Sequence, residues 1–413
     1  MSATAGSFVR PGPLEIAAGV LAGLEDGPVA REVPGGGTPR SARQALEQAI
    51  LPALLRAPCV VDFSGGRDSS VVLAVATHVA RREGLPVPVP FTRRFPLEPM
   101  ADEAAWQELV VEHLRLPNWE RAELTEDLDL IGKRAQQSLR RFGLLVPSPH
   151  YSTLSFELAN GGSRLTGDGG DEVFGSYRAR TVLAMLRSPK RLRHRRDLVS
   201  LLSGVAPRPA RDLLLWREHL SRLPCGAWMR PEVLRRFARR YAAEYSREPI
   251  SWGGGLDWQL RRRHFSAIQR NGSIIAAVYN VQRVDPFLDP RFVRALGHSA
   301  SMLGFADRTE AMTFVAGDLL PSSLLSRRTK GAYNRAFFTK ISRSFAEGWD
   351  GSGVDEELVD PHALKRAWLK PLPPAPSGTL LQAAWMAQQH VPLEGAISTP
   401  PSHEAHAERV VNS

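Results

Sequence analysis

The stretch Cys59-Val-Val-Asp-Phe-Ser-Gly-Gly-Arg-Asp-Ser-Ser70 narrows what this chain can fold into more than any other. Its apolar start reads as a short buried strand that ends in Ser64-Gly65-Gly66. Residues 69–82 then carry Val71, Val72, Val75 and Val79 at near-helical spacing, which predicts a helix. Strand, glycine loop and helix in that order aim backbone N–H groups and the positive end of a helix at an anion. Gly65 and Gly66 let the backbone approach a phosphate with no Cβ in the way. Ser64 and Ser69 add hydroxyl donors, and Asp68 offers a carboxylate suited to a magnesium ion beside the phosphate. Ser-Gly-Gly is also an ordinary turn, but a strand before it and a helix after it favour nucleotide binding. The loop holds no lysine, which excludes the Gly-Lys-Ser/Thr type of phosphate loop.

The neighbouring chain extends the pattern. Residues 1–40 are rich in Gly and Pro and predict an irregular arm with one short helix near 14–24. Residues 41–56 read as an amphipathic helix capped by Ser41. A second strand is expected over 87–92, at an edge or irregular because of Pro86, Pro88 and Pro90. A helix over 102–114, a strand over 119–124, helices over 127–142 and 152–160 and a strand over 164–166 follow. This alternation predicts an α/β fold, a parallel twisted sheet with helices on both faces. Beyond Tyr177, Arg- and Leu-rich helical patterns fill 178–245 and 256–284, one last helix covers 380–389, and 396–413 reads as a disordered tail. The expected organisation is one synthetic unit over 41–395, with an α/β half at 41–177 and a mainly helical half at 178–395. Its ligand belongs at the carboxyl ends of the strands.

Composition removes several alternatives. Hydrophobic residues at 43% and charged residues at 23% suit a globular chain. No apolar run approaches the ~18 residues of a membrane span, and the N-terminal residues lack a signal peptide's basic start and apolar block. Cys59 and Cys225 form no CxxC pair and no framework, so a reducing cytoplasm is expected. A net charge of +10 invites a nucleic-acid reading. The excess is arginine, as in Lys190-Arg-Leu-Arg-His-Arg-Arg196 and Arg261-Arg-Arg263, and no nucleic-acid fold signature accompanies it. Solvated helix faces are the simpler account, a surface that attracts an acidic or phosphorylated partner is the alternative, and a nucleic-acid partner is not expected.

A second loop, Thr166-Gly-Asp-Gly-Gly-Asp-Glu-Val-Phe-Gly-Ser-Tyr177, follows the strand at 164–166. Its crowded carboxylates repel one another unless a cation lies between them, and Gly167, Gly169 and Gly170 let it fold tightly over a phosphate or metal. A solvated acidic turn is the competing account. In a parallel sheet the two loops meet at one edge, which makes Asp68 and Asp171 a plausible magnesium pair.

The first loop is similar to the pyrophosphate loop, Ser-Gly-Gly-x-Asp-Ser, of enzymes that split ATP between the α and β phosphates. With both loops, the chain resembles the synthetase half of the asparagine synthetase family, including its lactam-forming and lasso-peptide macrolactam-forming relatives. Arg283-Val-Asp-Pro-Phe-Leu-Asp289 is similar to the family's Arg-x-Pro-Phe-Leu-Asp signature, with Asp285 as one extra residue. Arg327-Arg-Thr-Lys-Gly331 looks like the basic segment carrying its active-site lysine. The resemblance implies a pyrophosphate-loop, adenine-nucleotide α-hydrolase-like fold, with ATP and Mg2+ as cofactors. It implies that Ser64, Gly65, Gly66, Asp68, Ser69 and Gly167 cradle the nucleotide, and that Asp68 and Asp171 hold the metal. Lys330 would neutralise charge at the α phosphate. Asp168 takes the place of the family's glutamate base with a shorter side chain, and Tyr177 matches its tyrosine, for which Glu218 is a candidate partner.

Glutamine-dependent members begin with a catalytic cysteine after Met1, where this chain has Ser2, so glutamine hydrolysis is not expected. The amine is then free ammonia, a separate subunit's product or an amino group of the substrate. Asn280-Val-Gln-Arg283 lacks the glutamate that asparagine makers place before the signature, which favours a macrolactam, peptide or specialised-metabolite amide over asparagine. The expected substrate is a carboxylate-bearing small molecule or a precursor peptide, the latter with a leader-binding or protease companion. Asparagine synthesis from separately supplied ammonia, and a non-catalytic ATP-binding subunit, are the alternatives.

Overall fold

Five strands form one wholly parallel sheet in the order β3-β2-β1-β4-β5. They are β1 Cys59–Asp62, β2 Val89–Arg94, β3 Glu120–Glu123, β4 Ser163–Leu165 and β5 Gln282–Val284. The computed structural model describes residues 7–25, 41–175, 178, 182, 202–329, 331 and 333–397. The central strand β1 is apolar at Cys59, Val60 and Val61 because helices cover both faces. The α/β class expected from the alternation is the class observed.

Among the described residues, seven helices accompany the first four strands: α1 Pro13–Ala18, α2 Ala42–Leu54, α3 Arg67–Arg82, α4 Ala104–His113, α5 Lys133–Phe142, α6 Thr153–Leu158 and α7 Gly170–Val173. Ser41 caps α2, its hydroxyl accepting from Gln44 N at 3.1 Å. On one face of the sheet Val61, Phe63 and Leu165 join Val71, Val72 and Val75 of α3 and Phe292 of the 290–298 helix in one core. On the other, Val60 and Phe91 join Phe142, Phe156, Ile274 and Ile275. A further core around Trp228, Trp349, Trp368 and Trp385 unites the helical half and includes Ala17 and Ala18 of α1. Residues 7–25 are tied to that half: Trp228 Nε1 donates to Ala17 O at 2.8 Å, and Val9 exchanges two hydrogen bonds with the Asn271 amide.

Three local expectations are corrected. The second strand is internal, not an edge. Pro90 is tolerated because it lies opposite Val61 of β1 but ahead of Phe91, where pairing with β3 begins. Its missing N–H therefore costs no bond to β3. The helix expected from 127 starts at Lys133. Tertiary bonds hold the preceding turn: the buried Asp129 carboxylate accepts from Thr339 N, Thr339 Oγ1, Ser342 Oγ and Ile131 N. The helical pattern expected to run through 284 stops at Val278. Asn280 takes a left-handed φ of 54°, and the chain then enters the sheet as β5.

Arginines of the basic clusters are partly used inside the fold. Arg262 pairs with Glu244, and Arg263 pairs with Glu15 and Glu25. The 190–196 cluster lies outside the described residues. Among the described residues, no helix is long and apolar enough to cross a membrane.

Candidate active site

The chain runs from β1 to β2 on one side and later returns to place β4 on the other, so the loops after β1 and β4 flank the switch point of the sheet. Open α/β sheets bind ligands at such a point, at the carboxyl ends of the strands.

The first loop folds on its own hydroxyls. Ser64 N and Ser69 Oγ lie 3.2 Å apart, Gly66 N donates to Ser64 Oγ at 3.2 Å, and Ser69 Oγ donates to Gly66 O at 3.1 Å. Gly65 has a φ of +83°, a conformation that glycine adopts without strain. α3 begins directly after Gly66 and gives the loop a helix N-terminus of 16 residues.

The second loop rests against the first. A Cβ on Gly170 would lie 2.4 Å from Asp68 Oδ1, and one on Gly167 would lie 3.0 Å from Ser69 N. The glycines are needed for this close approach more than for turning. Ser64, Gly65, Gly66, Asp68, Ser69, Gly167, Asp168 and Asp171 thus all belong to two touching loops. Tyr177 and Lys330 lie outside the described residues. Glu218 pairs with Arg222 one turn along its own helix.

A residue with no assigned role joins the two acidic groups. Arg308 Nη2 donates to both oxygens of Asp68, and its Nη1 lies 2.5 Å from Asp171 Oδ1. Its attraction to these carboxylates outweighs its burial and raises the guanidinium pKa. In sequence Arg308 is hidden in Asp307-Arg-Thr-Glu310, an ordinary helix start that Asp307 caps.

A buried ion pair ties the basic segment to the first loop. Arg327 donates to Gly65 O at 2.9 Å and to Glu103 Oε1 at 2.6 Å, with the two side chains 3% and 4% exposed. Gly331 N donates to the same Glu103 oxygen at 2.7 Å. Residues on both sides of Lys330 are therefore anchored beside the glycine loop. The guanidinium also lies over the Trp106 ring at 4.7 Å.

Strand β5 supplies a third group. Arg283 donates to Asp285 at 2.9 and 3.0 Å and to Asp168 Oδ2 at 2.7 Å, while Thr166 Oγ1 donates to Asp285 at 2.6 Å. Nearby, Asp62 meets Arg164 and Arg93. Burial alone would raise the Asp62 pKa, but the two guanidinium groups outweigh it and hold the carboxyl below its ordinary range. Periodicity could not find β5, a three-residue strand.

Gly272 makes room for Arg283, because a Cβ there would lie 1.8 Å from its Nη1. Gly272→Ala gains about 1 kcal/mol of helix propensity. It also pushes a guanidinium that is only 7% exposed off its partners, and breaking a buried pair costs about 3–5 kcal/mol. A net loss of about 2 kcal/mol or more is expected from urea unfolding. A raised midpoint would show that Arg283 relaxes freely.

Both cysteines are buried and unpaired by disulfide. Burial pushes the Cys59 thiol up to about 11 and Cys225 to about 12, so neither is a ready nucleophile.

A search of curated proteins finds no match to this chain. The model of the family described as Asparagine synthase does match, over residues 41–392. That span contains both loops, the signature before Asp289, the basic segment and every strand of the sheet, and the chain belongs to the asparagine synthase family.

Proposed function

We propose that this chain activates a carboxylate as its acyl-adenylate and transfers the acyl group to an amine, forming a macrolactam or another peptide or specialised-metabolite amide. Its family is one of ATP-dependent ligases. The observation that carries the reading is the contact between the two glycine loops, with Asp68 and Asp171 reached by one cationic group.

That geometry fits a magnesium ion. The two carboxylates offer the hard oxygen donors that a magnesium ion takes, and Asp68 and Asp171 would hold it. When bound, it would mask phosphate charge and stabilise the departing pyrophosphate. Ser64, Ser69 and the α3 N-terminus hold the phosphates. A substrate carboxylate oxygen bonds to the α phosphorus as the bond to pyrophosphate breaks, with Lys330 neutralising charge there. The amine nitrogen then bonds to the acyl carbon as the bond to AMP breaks, and its proton passes to Asp168. Arg283 orients that carboxylate.

Exchange of labelled pyrophosphate into ATP tests the reading. Exchange is expected with a peptide carrying an Asp or Glu side chain and its own N-terminal amine, encoded beside a leader-binding or protease companion. Exchange driven by free aspartate, with asparagine formed on adding ammonia, would move the substrate class to asparagine. ATP binding with no exchange on any carboxylate would leave a non-catalytic subunit.

A further inference from the structure

The first loop has no lysine, yet the two loops are not short of positive charge, because Arg308 arrives from a helix far along the chain. Its guanidinium fork spans Asp68 and Asp171, one from each loop. Both Asp68 oxygens face Nη2. A divalent ion on the same carboxylates needs those lone pairs, so ion and guanidinium compete for Asp68. Arg308 Nε is buried without a hydrogen-bond partner, so the side chain is not fully satisfied where it sits. It also faces the like charge of Arg67 at the start of α3. That repulsion persists once the carboxylates are given up, and an incoming anion would relieve it.

We propose that Arg308 is the resident counter-cation of Asp68 and Asp171 and the device that makes metal and nucleotide bind together. This rests on the function proposed above. Without nucleotide, Arg308 neutralises Asp68 and Asp171 and clamps the two loops to each other. A metal ion arriving alone must strip the guanidinium of its partners and leave it unpaired beside Arg67. A metal ion arriving with a polyphosphate brings new partners for it, and arginine forks match phosphate oxygens well. Arg308 then turns from the carboxylates to the phosphates, supplying the positive charge that the loop sequence lacks. A closed state favoured by about ten to one weakens binding of the lone ion by about tenfold, and the nucleotide restores it.

The test is Mn2+ binding followed by electron paramagnetic resonance, alone and with the non-cleavable analogue α,β-methylene-ATP. The wild-type chain is expected to bind Mn2+ weakly alone and at least about tenfold more tightly with the analogue. Arg308→Met is expected to bind Mn2+ alone about tenfold more tightly than wild type, and to lose most of the strengthening by the analogue. Arg308→Lys keeps the charge without the fork and is expected to fall between them, which covers the case of a poorly folded methionine variant. Mn2+ affinity in both variants equal to or below that of wild type would overturn the inference. Asp68→Asn separates this from the underlying reading: if analogue-dependent Mn2+ binding survives in that variant, the metal site itself is misassigned. If it is lost there while Arg308 variants behave as wild type, only the role of Arg308 fails.

Discussion

Replacing Glu103 with Leu is expected to destabilise the protein by about 3–5 kcal/mol, because Arg327 is left as an unpaired buried charge. The same change is expected to lower pyrophosphate exchange by roughly 10²-fold, since it releases Gly331 N and with it the basic segment. The two effects are separable. In the double variant Glu103→Leu, Arg327→Leu no charge remains buried, and apolar replacements of buried pairs are often neutral or better. Stability by urea denaturation should then return to within about 1 kcal/mol of wild type, while exchange stays low, because the Arg327–Gly65 bond is lost. Recovery of exchange together with stability would reduce the pair to a packing element.

Asp68→Asn should abolish exchange at little cost to folding. The amide keeps the shape but loses the charge proposed to hold a divalent ion, and metal stabilisation of transition-state charge is worth several kcal/mol, or roughly 10³-fold. Asp68 is partly exposed at 21% and Arg308 keeps Asp171 as a partner, so only a small loss of stability is expected. The matched control is Asp171→Asn, expected to fall less because that carboxylate is half exposed and makes the single-contact end of the Arg308 bridge. Unchanged exchange in Asp68→Asn removes the magnesium assignment.

The two loops were legible in the sequence because each is a continuous string whose glycines and carboxylates act within a few residues of one another. Groups assembled from distant segments left no such trace. Glu103 reads as a charge in the first turn of a helix, Arg327 as part of a basic turn and Arg308 as the first residue of a capped helix. β5 was hidden for the opposite reason: it is local but three residues long, and its signal was the turn at Asn280.

Sequence alone determined the α/β class, the phosphate-type loop, the second acidic loop and the family to which they point. These follow from near-neighbour chemistry: apolar runs that must be covered, and glycines where backbone must come close. Tertiary structure alone decided which cation stands between Asp68 and Asp171, what anchors the basic segment and which arginine holds Asp168. Each of those is a charge pair across chain separations that no spacing rule reads. Burial decides them, because a charge taken from water must find its opposite wherever the fold has brought one.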